Sequence, residues 1–252
     1  MVYCICTSFK PLDELLIFPP RFLVHRPTLA NYIALPALLN TLRIPMWRYF
    51  FNSIFVAVSG VFLHVIAASM AAFVFSKSRI KGKNVLFTIV QFALLYTSYT
   101  LGVPQYLIFS KIGIIDTYLV YLVPMIASSM GCFLMKQYID ASVPNALMEA
   151  ARIDGAGMAR IYWQIIMPIA KPAWMTLLLF AFRDMWSMVP SGTIFSEELK
   201  LLPQVMTNIA NGGIARSGSA MATTVLMMIP PIAVYFISQA NVMETMSSSG
   251  IK

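Results

Sequence analysis

The sequence predicts an all-α polytopic membrane protein, and three observations carry that prediction. Of its 252 residues, 59% are hydrophobic and only 11% charged, with a mean hydropathy of +0.75, far from the balance of a soluble domain. Five stretches are apolar enough, and near enough to the ~20 residues that a helix needs, to cross a bilayer. The cations are scattered, and many flank those stretches, as anchoring and orientation in a membrane require. The net charge of +8 therefore gives no reason to expect a nucleic-acid partner.

Taken in order, the opening MVYCIC lacks a basic leader and a long apolar core, so no cleavable signal is expected. Residues 1–9 read as the tail of a first span. Cys4, Cys6 and Cys132 form no disulfide framework and read as small apolar residues. Residues 10–49 are punctuated by Pro11, Pro19, Pro20, Pro27, Pro36 and Pro45, which predicts an extramembrane loop with short helical pieces. His25 and Arg26 fall in it as solvated surface.

Residues 50–252 form the transmembrane part. Residues 50–75 are the first complete span, with Ala68 and Ala72 as a small face for helix packing. His64 lies in its middle, where a neutral, hydrogen-bonded core histidine is the plainer reading and a functional group the sharper one. Lys77, Arg79, Lys81 and Lys83 then crowd one short turn and mark the cytoplasmic side. Residues 84–110, without a charge, are the second span. Residues 117–139 are the third, and its small residues Ser128, Ser129 and Gly131 suit close helix contact.

Between the third and fourth spans lies a polar insert, residues 140–172. Pro144 suits the start of a helix, and Gly155 is its natural stop. Ala146, Ala150 and Ile153 share one face, and Glu149 and Arg152 another. Asp154, at the unfavourable end of the helix dipole, is expected to cap the next helix or pair with a cation. A second short helix from about Met158 to Met167 should be bent by Pro168 and Pro172 into the span that follows.

The fourth span, residues 173–190, carries Arg183, Asp184 and Trp186. Charges within a span are costly, by about 2.5–3.5 kcal/mol each, and should face protein or a watery path. Neighbours in sequence point ~100° apart on a helix, so a private ion pair is not expected. Either they pair with a second helix bundle or they line a solute path. Residues 191–219 are a polar external loop. Its Gly213 to Gly218 spacing lacks the lysine of a phosphate-binding loop, because Ser219 and Ala220 follow. Residues 220–237 form the last span, with Pro230 and Pro231 expected to kink it, and the tail returns to the inner side.

The order Glu149-Ala150-Ala151, two residues, Asp154-Gly155-Ala156, then Ile165, Pro168 and Pro172 resembles the EAA loop of bacterial ABC importer permeases. From Thr7 onward, nearly the whole chain is similar to the carbohydrate, maltose-type branch of that family, including Asn31-Tyr32 and the run Pro104-Gln105-Tyr106-Leu107. It departs at Asp116, where asparagine is more usual, and at Arg183-Asp184, where many relatives carry Trp-Asn. The partial Gly-x-Lys ending falls on Gly250 and Lys252.

The resemblance implies the ABC importer permease fold: five complete transmembrane helices, the remnant of a first, and a cytoplasmic coupling helix. It implies that Glu149, Ala150, Ala151, Asp154, Gly155, Ala156 and Gly157 dock on an ATPase. The implied partners are two ATPase subunits, a second related permease, an extracytoplasmic solute-binding protein, a carbohydrate and membrane lipid. No cofactor is implied, and the place is the bacterial inner membrane. An importer of another polar solute is the nearest alternative. A secondary transporter would show inverted repeats, and none is visible. A membrane enzyme would need convergent acid, base or metal groups at one depth, and His25 and His64 do not supply them.

Overall fold

The longest apolar run folds as one helix, Met46–Lys77 (α4), 32 residues long. It is preceded by Val2–Ser8 (α1), Leu12–Leu15 (α2) and Ala30–Asn40 (α3). Lys83–Ala93 (α5), Ser98–Ile112 (α6), Leu119–Ile126 (α7) and Ser129–Ser142 (α8) follow. Next come Asn145–Ile153 (α9), Met158–Ile161 (α10), a π-helical turn Tyr162–Ile166, Met167–Ile169 (α11) and Lys171–Trp186 (α12). The chain closes with a 3-10 turn Glu197–Leu199, Leu202–Ala210 (α13) and Ser217–Ser249 (α14). This computed structural model describes residues 2–19, 21–40, 44–96, 98–190, 192–211, 213 and 216–249. Gly250 and Lys252, placed above in the tail, lie outside them. No strand occurs among the described residues.

Among the described residues, three segments are long and apolar enough to cross a membrane: Met46–Lys77, Leu119–Ser142 and Ser217–Gln239. A fourth forms if Met158–Ile169 and Lys171–Trp186, bent by 79°, count as one broken span. Residues 84–110, expected as one unbroken span, instead form two helices, α5 and α6. Tight bonds from Leu94 N–H to the Gln91 carbonyl (3.1 Å) and from Leu95 N–H to that of Phe92 (3.0 Å) close α5. The fourth span likewise needs its bend, since α12 alone has 16 residues. The Trp174 indole N–H pins that bend by donating to the Met167 carbonyl at 3.1 Å.

The chain divides into two compact units. The first comprises Met1–Ala57, Asp116–Tyr118 and Trp186–Val234. Tyr49, Val56, Leu201, Val205 and Ala222 are in its core. At its centre Asn52, fully buried, donates to the carbonyls of Glu198 (2.7 Å) and Lys200 (3.2 Å) and accepts from the Tyr118 hydroxyl (2.8 Å). Beside it the Ser53 hydroxyl accepts from Leu202 N–H at 2.8 Å. Asn31 ties the end of α1 down, donating to the carbonyls of Ser8 and Lys10, both at 2.8 Å. A Cβ at Gly218 would sit 2.4 Å from the Asn31 amide oxygen, so only glycine admits that approach.

Asp116 adopts φ 59°, a left-handed conformation that asparagine and aspartate tolerate best. Its carboxylate accepts from the Ser196 hydroxyl and, at 2.9 Å each, from the N–H groups of Ser196 and Phe195. The hydroxyl bond first, and then the amides, hold its carboxyl below the ordinary aspartate value. A depressed folded pKa adds stability above the unfolded value of about 3.9, and that stability is lost as pH falls through the folded value. We expect the melting temperature of the wild type to drop more steeply below about pH 4 than that of Asp116→Asn. The substitution keeps the φ and a side-chain acceptor, so melting curves in detergent isolate the charge. Given the exposure of the site, the difference at neutral pH should be about 1 kcal/mol or less.

The second unit comprises Val58–Ile115, Leu119–Met185 and Tyr235–Lys252. Ala68 and Ala72 are buried in it as the spacing predicts. The Ser128 hydroxyl caps α8 by accepting from Gly131 N–H at 3.3 Å. His64 is 2% exposed, and its Nδ1 lies 2.7 Å from the Met125 carbonyl. A carbonyl only accepts, so Nδ1 carries a proton and the ring is a satisfied core histidine. A Cβ on Gly131 would meet that ring at 2.7 Å, which explains the small residue there.

Candidate coupling surface and pathway residues

The insert between α8 and α12 folds as the sequence predicts, a short helix, a glycine turn and a second helix. Pro144 sits at the N-cap of α9, one residue ahead of the helix. At the other end Ala156 N–H donates to the Ala151 carbonyl (2.9 Å) and Gly155 N–H to that of Arg152 (3.0 Å), with Gly155 at φ 75°. This pair of bonds is a Schellman stop, and it needs a residue at ease in the left-handed region. Asp154, Gly155 and Ala156 are therefore three consecutive positions of one helix ending. Gly157 then caps α10 through its backbone alone. The expected capping or pairing role of Asp154 is corrected, since its exposed carboxylate makes no bond or ion pair among the described residues.

The two faces of α9 have opposite fates. Met148 and Ala151 are buried, at 4% and 6% exposure. Ala146, Glu149, Ala150, Arg152 and Gly155 are exposed, and Ile153 is 86% exposed. The adjacent alanines thus split, Ala151 packing inward while Ala150 faces away. Leu147, 37% exposed, adds to this outward apolar patch.

Behind the hairpin the structure is anchored. Lys77, at the end of α4, donates to the Val143 carbonyl (2.6 Å) and to the Asn145 side-chain oxygen (3.1 Å), at the start of α9. On the far side the π-helical turn places Tyr162 in the core, where its hydroxyl meets that of Ser69 at 2.7 Å and its ring packs on Phe73. Ile161 and Ile166 are fully buried beside it. Both ends of the hairpin are thereby tied to α4. Sequence reasoning missed Ser69 and Tyr162; a lone serine in a span is a weak signal, and 93 residues separate the pair.

Arg183 and Asp184 depart from the expectation that neighbours cannot pair. The Arg183 guanidinium donates to Asp184 Oδ1 at 2.9 and 3.1 Å, because the long arginine stem folds back over the ~100° that separates the two Cβ vectors. Both side chains are exposed, at 71% and 52%. Trp186 is buried, its indole N–H donating to the Met227 carbonyl at 2.9 Å and its ring edge-on to Phe50.

Long apolar helices and an exposed, doubly anchored hairpin are what a transport permease that couples to a partner at its surface would need. The chain belongs to the family of binding-protein-dependent transport system inner membrane components, whose pattern matches residues 32–247. Among its relatives, the inner membrane ABC transporter permease protein YcjP of Escherichia coli (strain K12) is 24% identical over 98% of this chain and 88% of that protein. The galactooligosaccharides transport system permease protein GanQ of Bacillus subtilis (strain 168) is 27% identical over 97% and 87%. The arabinooligosaccharides transport system permease protein AraQ of Halalkalibacterium halodurans is 25% identical over 98% and 88%. The fold is shared with a crystal structure of a bacterial ABC transporter that imports the acidic polysaccharide alginate. The TM-score is 0.77 at 23% identity, over 95% of this chain and 88% of that one. The chain is thus a membrane permease of an ABC importer and not an enzyme.

Proposed function

We propose that this permease forms half of the translocation path for a carbohydrate, of the oligosaccharide class, and takes its drive from a cytoplasmic ATPase gripped at α9. The observation that carries the reading is the outward apolar face of α9, with Ile153 at 86% exposure on a helix whose other face is anchored. The oligosaccharide class rests on the substrates for which relatives are named. Two ATPase subunits, a second related permease and an extracytoplasmic binding protein complete the assembly, and no cofactor or nucleic acid takes part. Glu149, Ala150, Asp154, Gly155 and Gly157 form the docking surface. Ala151 and Ala156 support it from within. The inner-face placement follows from Lys77, Arg79, Lys81 and Lys83 before the hairpin and Arg152, Arg160 and Lys171 within it. In this reading α5 and α6 together make the fifth crossing, supported by the absence of charge over residues 84–110.

Ile153→Glu puts a charge into the docking face without touching the core of the chain. Transport and substrate-stimulated ATP hydrolysis in reconstituted vesicles should fall at least tenfold, with the amount of chain in the membrane unchanged; unaltered transport would exclude docking at this face. Arg183 and Asp184 are assigned to the wall of the path in contact with solute, and Trp186 is kept as a third, separate path candidate. Arg183→Ala should lower uptake while the complex still assembles. Intact uptake from a poorly assembled complex would make the residue structural.

A further inference from the structure

Where α4 leaves its apolar run, residues 76–83 fold back toward α9 and enclose a cleft of about 210 Å³. Four cations line it, Lys77, Arg79, Lys83 and Arg152, with the carboxylate of Glu149; Asp140, outside the lining, bonds the Ser76 hydroxyl and is itself paired with Lys136 at 2.6 Å. Two of the ammonium groups are fixed in place by the backbone. Lys77 donates to the Val143 carbonyl and the Asn145 side chain, and Lys83 to the carbonyls of Ser76 (3.2 Å) and Ser78 (2.8 Å). An ammonium has three N–H donors, so each keeps one uncommitted. Arg79 is exposed and makes no hydrogen bond or ion pair among the described residues. Next to these cations in sequence, though not in the cleft lining itself, are exposed apolar side chains: Ile80 at 56%, Val85 at 66% and Leu86 at 53%.

We propose that this cleft is a binding site for the phosphate of an anionic phospholipid, seated on Lys77, Arg79 and Lys83 with its acyl chains along Ile80, Val85 and Leu86. Excess positive charge at the end of a span attracts such headgroups, each basic residue contributing a factor of about five. The flanking apolar residues select a lipid over a soluble phosphate, which offers them nothing to bury. Because Arg152 and Glu149 lie on α9, the bound headgroup would brace the hairpin from the membrane side. The inference rests on the cytoplasmic placement proposed above, and the docking of the ATPase stands or falls separately.

The assembled transporter, purified in mild detergent, is titrated with phosphatidylglycerol or phosphatidylcholine, and retained lipid is counted by native mass spectrometry. The wild type should hold phosphatidylglycerol in preference. Arg79→Gln should weaken retention about fivefold and Arg79→Gln/Lys83→Gln about thirtyfold, while Arg79→Lys stays within about twofold. Arg79 has no partner among the described residues, so its substitution should leave the fold intact, and ATPase subunits counted in the same spectra report assembly. Equal retention by the wild type and Arg79→Gln would overturn the proposal, as would displacement of the lipid by millimolar inorganic phosphate. Loss of ATPase subunits with lipid retention unchanged would overturn it too, assigning the cleft to the protein interface.

Discussion

Gly155→Pro should abolish transport while leaving the chain inserted in the membrane at close to its normal level. Proline is locked at φ near −65°, whereas Gly155 stands at 75°, and the substitution also removes the N–H that bonds the Arg152 carbonyl at 3.0 Å. The Schellman stop cannot form, and α10 would leave α9 in a different direction. A turn at that position cannot be repaired by a small shift, because the two ends of the hairpin are held by Lys77 and Tyr162. Gly155→Ala is the control: no atom lies within 4 Å of a Cβ built there, so only backbone strain of about 1 kcal/mol remains. Transport should therefore fall modestly for alanine and at least tenfold for proline, measured as uptake into vesicles at equal chain density. Equal uptake by the two variants would mean that the hairpin geometry does not matter.

Asn52→Leu should be the most destabilising single change in the first unit. The shape is nearly kept, yet the carbonyls of Glu198 and Lys200 and the Tyr118 hydroxyl all lose their partner. A buried polar group left unpaired costs about 1–3 kcal/mol, and because these groups are only partly buried water can replace some of the lost bonds, so a total of about 2 kcal/mol is expected. The segment that Asn52 holds includes the 3-10 turn Glu197–Leu199 and the start of α13, so the loss should appear first as local opening there. Tyr118→Phe removes one of the three bonds and should cost about 1 kcal/mol. Combining the two changes should give a clear coupling energy, since they share a bond. Thermal melting in detergent reads the totals, and hydrogen exchange of residues 196–202 reads the local opening. A variant that melts like the wild type would show the cluster to be idle.

The hairpin was legible because each of its signals is local. Pro144, Gly155 and the doublet of Pro168 and Pro172 act within a few residues of where they stand, and the backbone follows them. Which alanine faces inward was not legible, since helical spacing defines faces but not what they pack against; Ala151 was buried by tertiary contacts. Hydropathy made residues 84–110 look like one rod, because it scores apolar character alone and carries nothing about where the backbone turns; α5 closes at Ala93. The contact of Arg183 with Asp184 escaped an argument built on Cβ directions alone, which neglects the reach of a long side chain. Lastly, the Ser69 to Tyr162 bond joins residues 93 apart and leaves no trace in local pattern.

A thiol at position 153 tests the central claim most directly. Ile153→Cys, in a chain whose Cys4, Cys6 and Cys132 are replaced by alanine, is exposed to a bulky membrane-impermeant thiol reagent from either side of the membrane. If α9 is the handle gripped by the ATPase, labelling occurs from the cytoplasmic side alone and is blocked when the ATPase subunits are assembled. Labelling from the outside, or labelling that the ATPase leaves unchanged, would contradict the account.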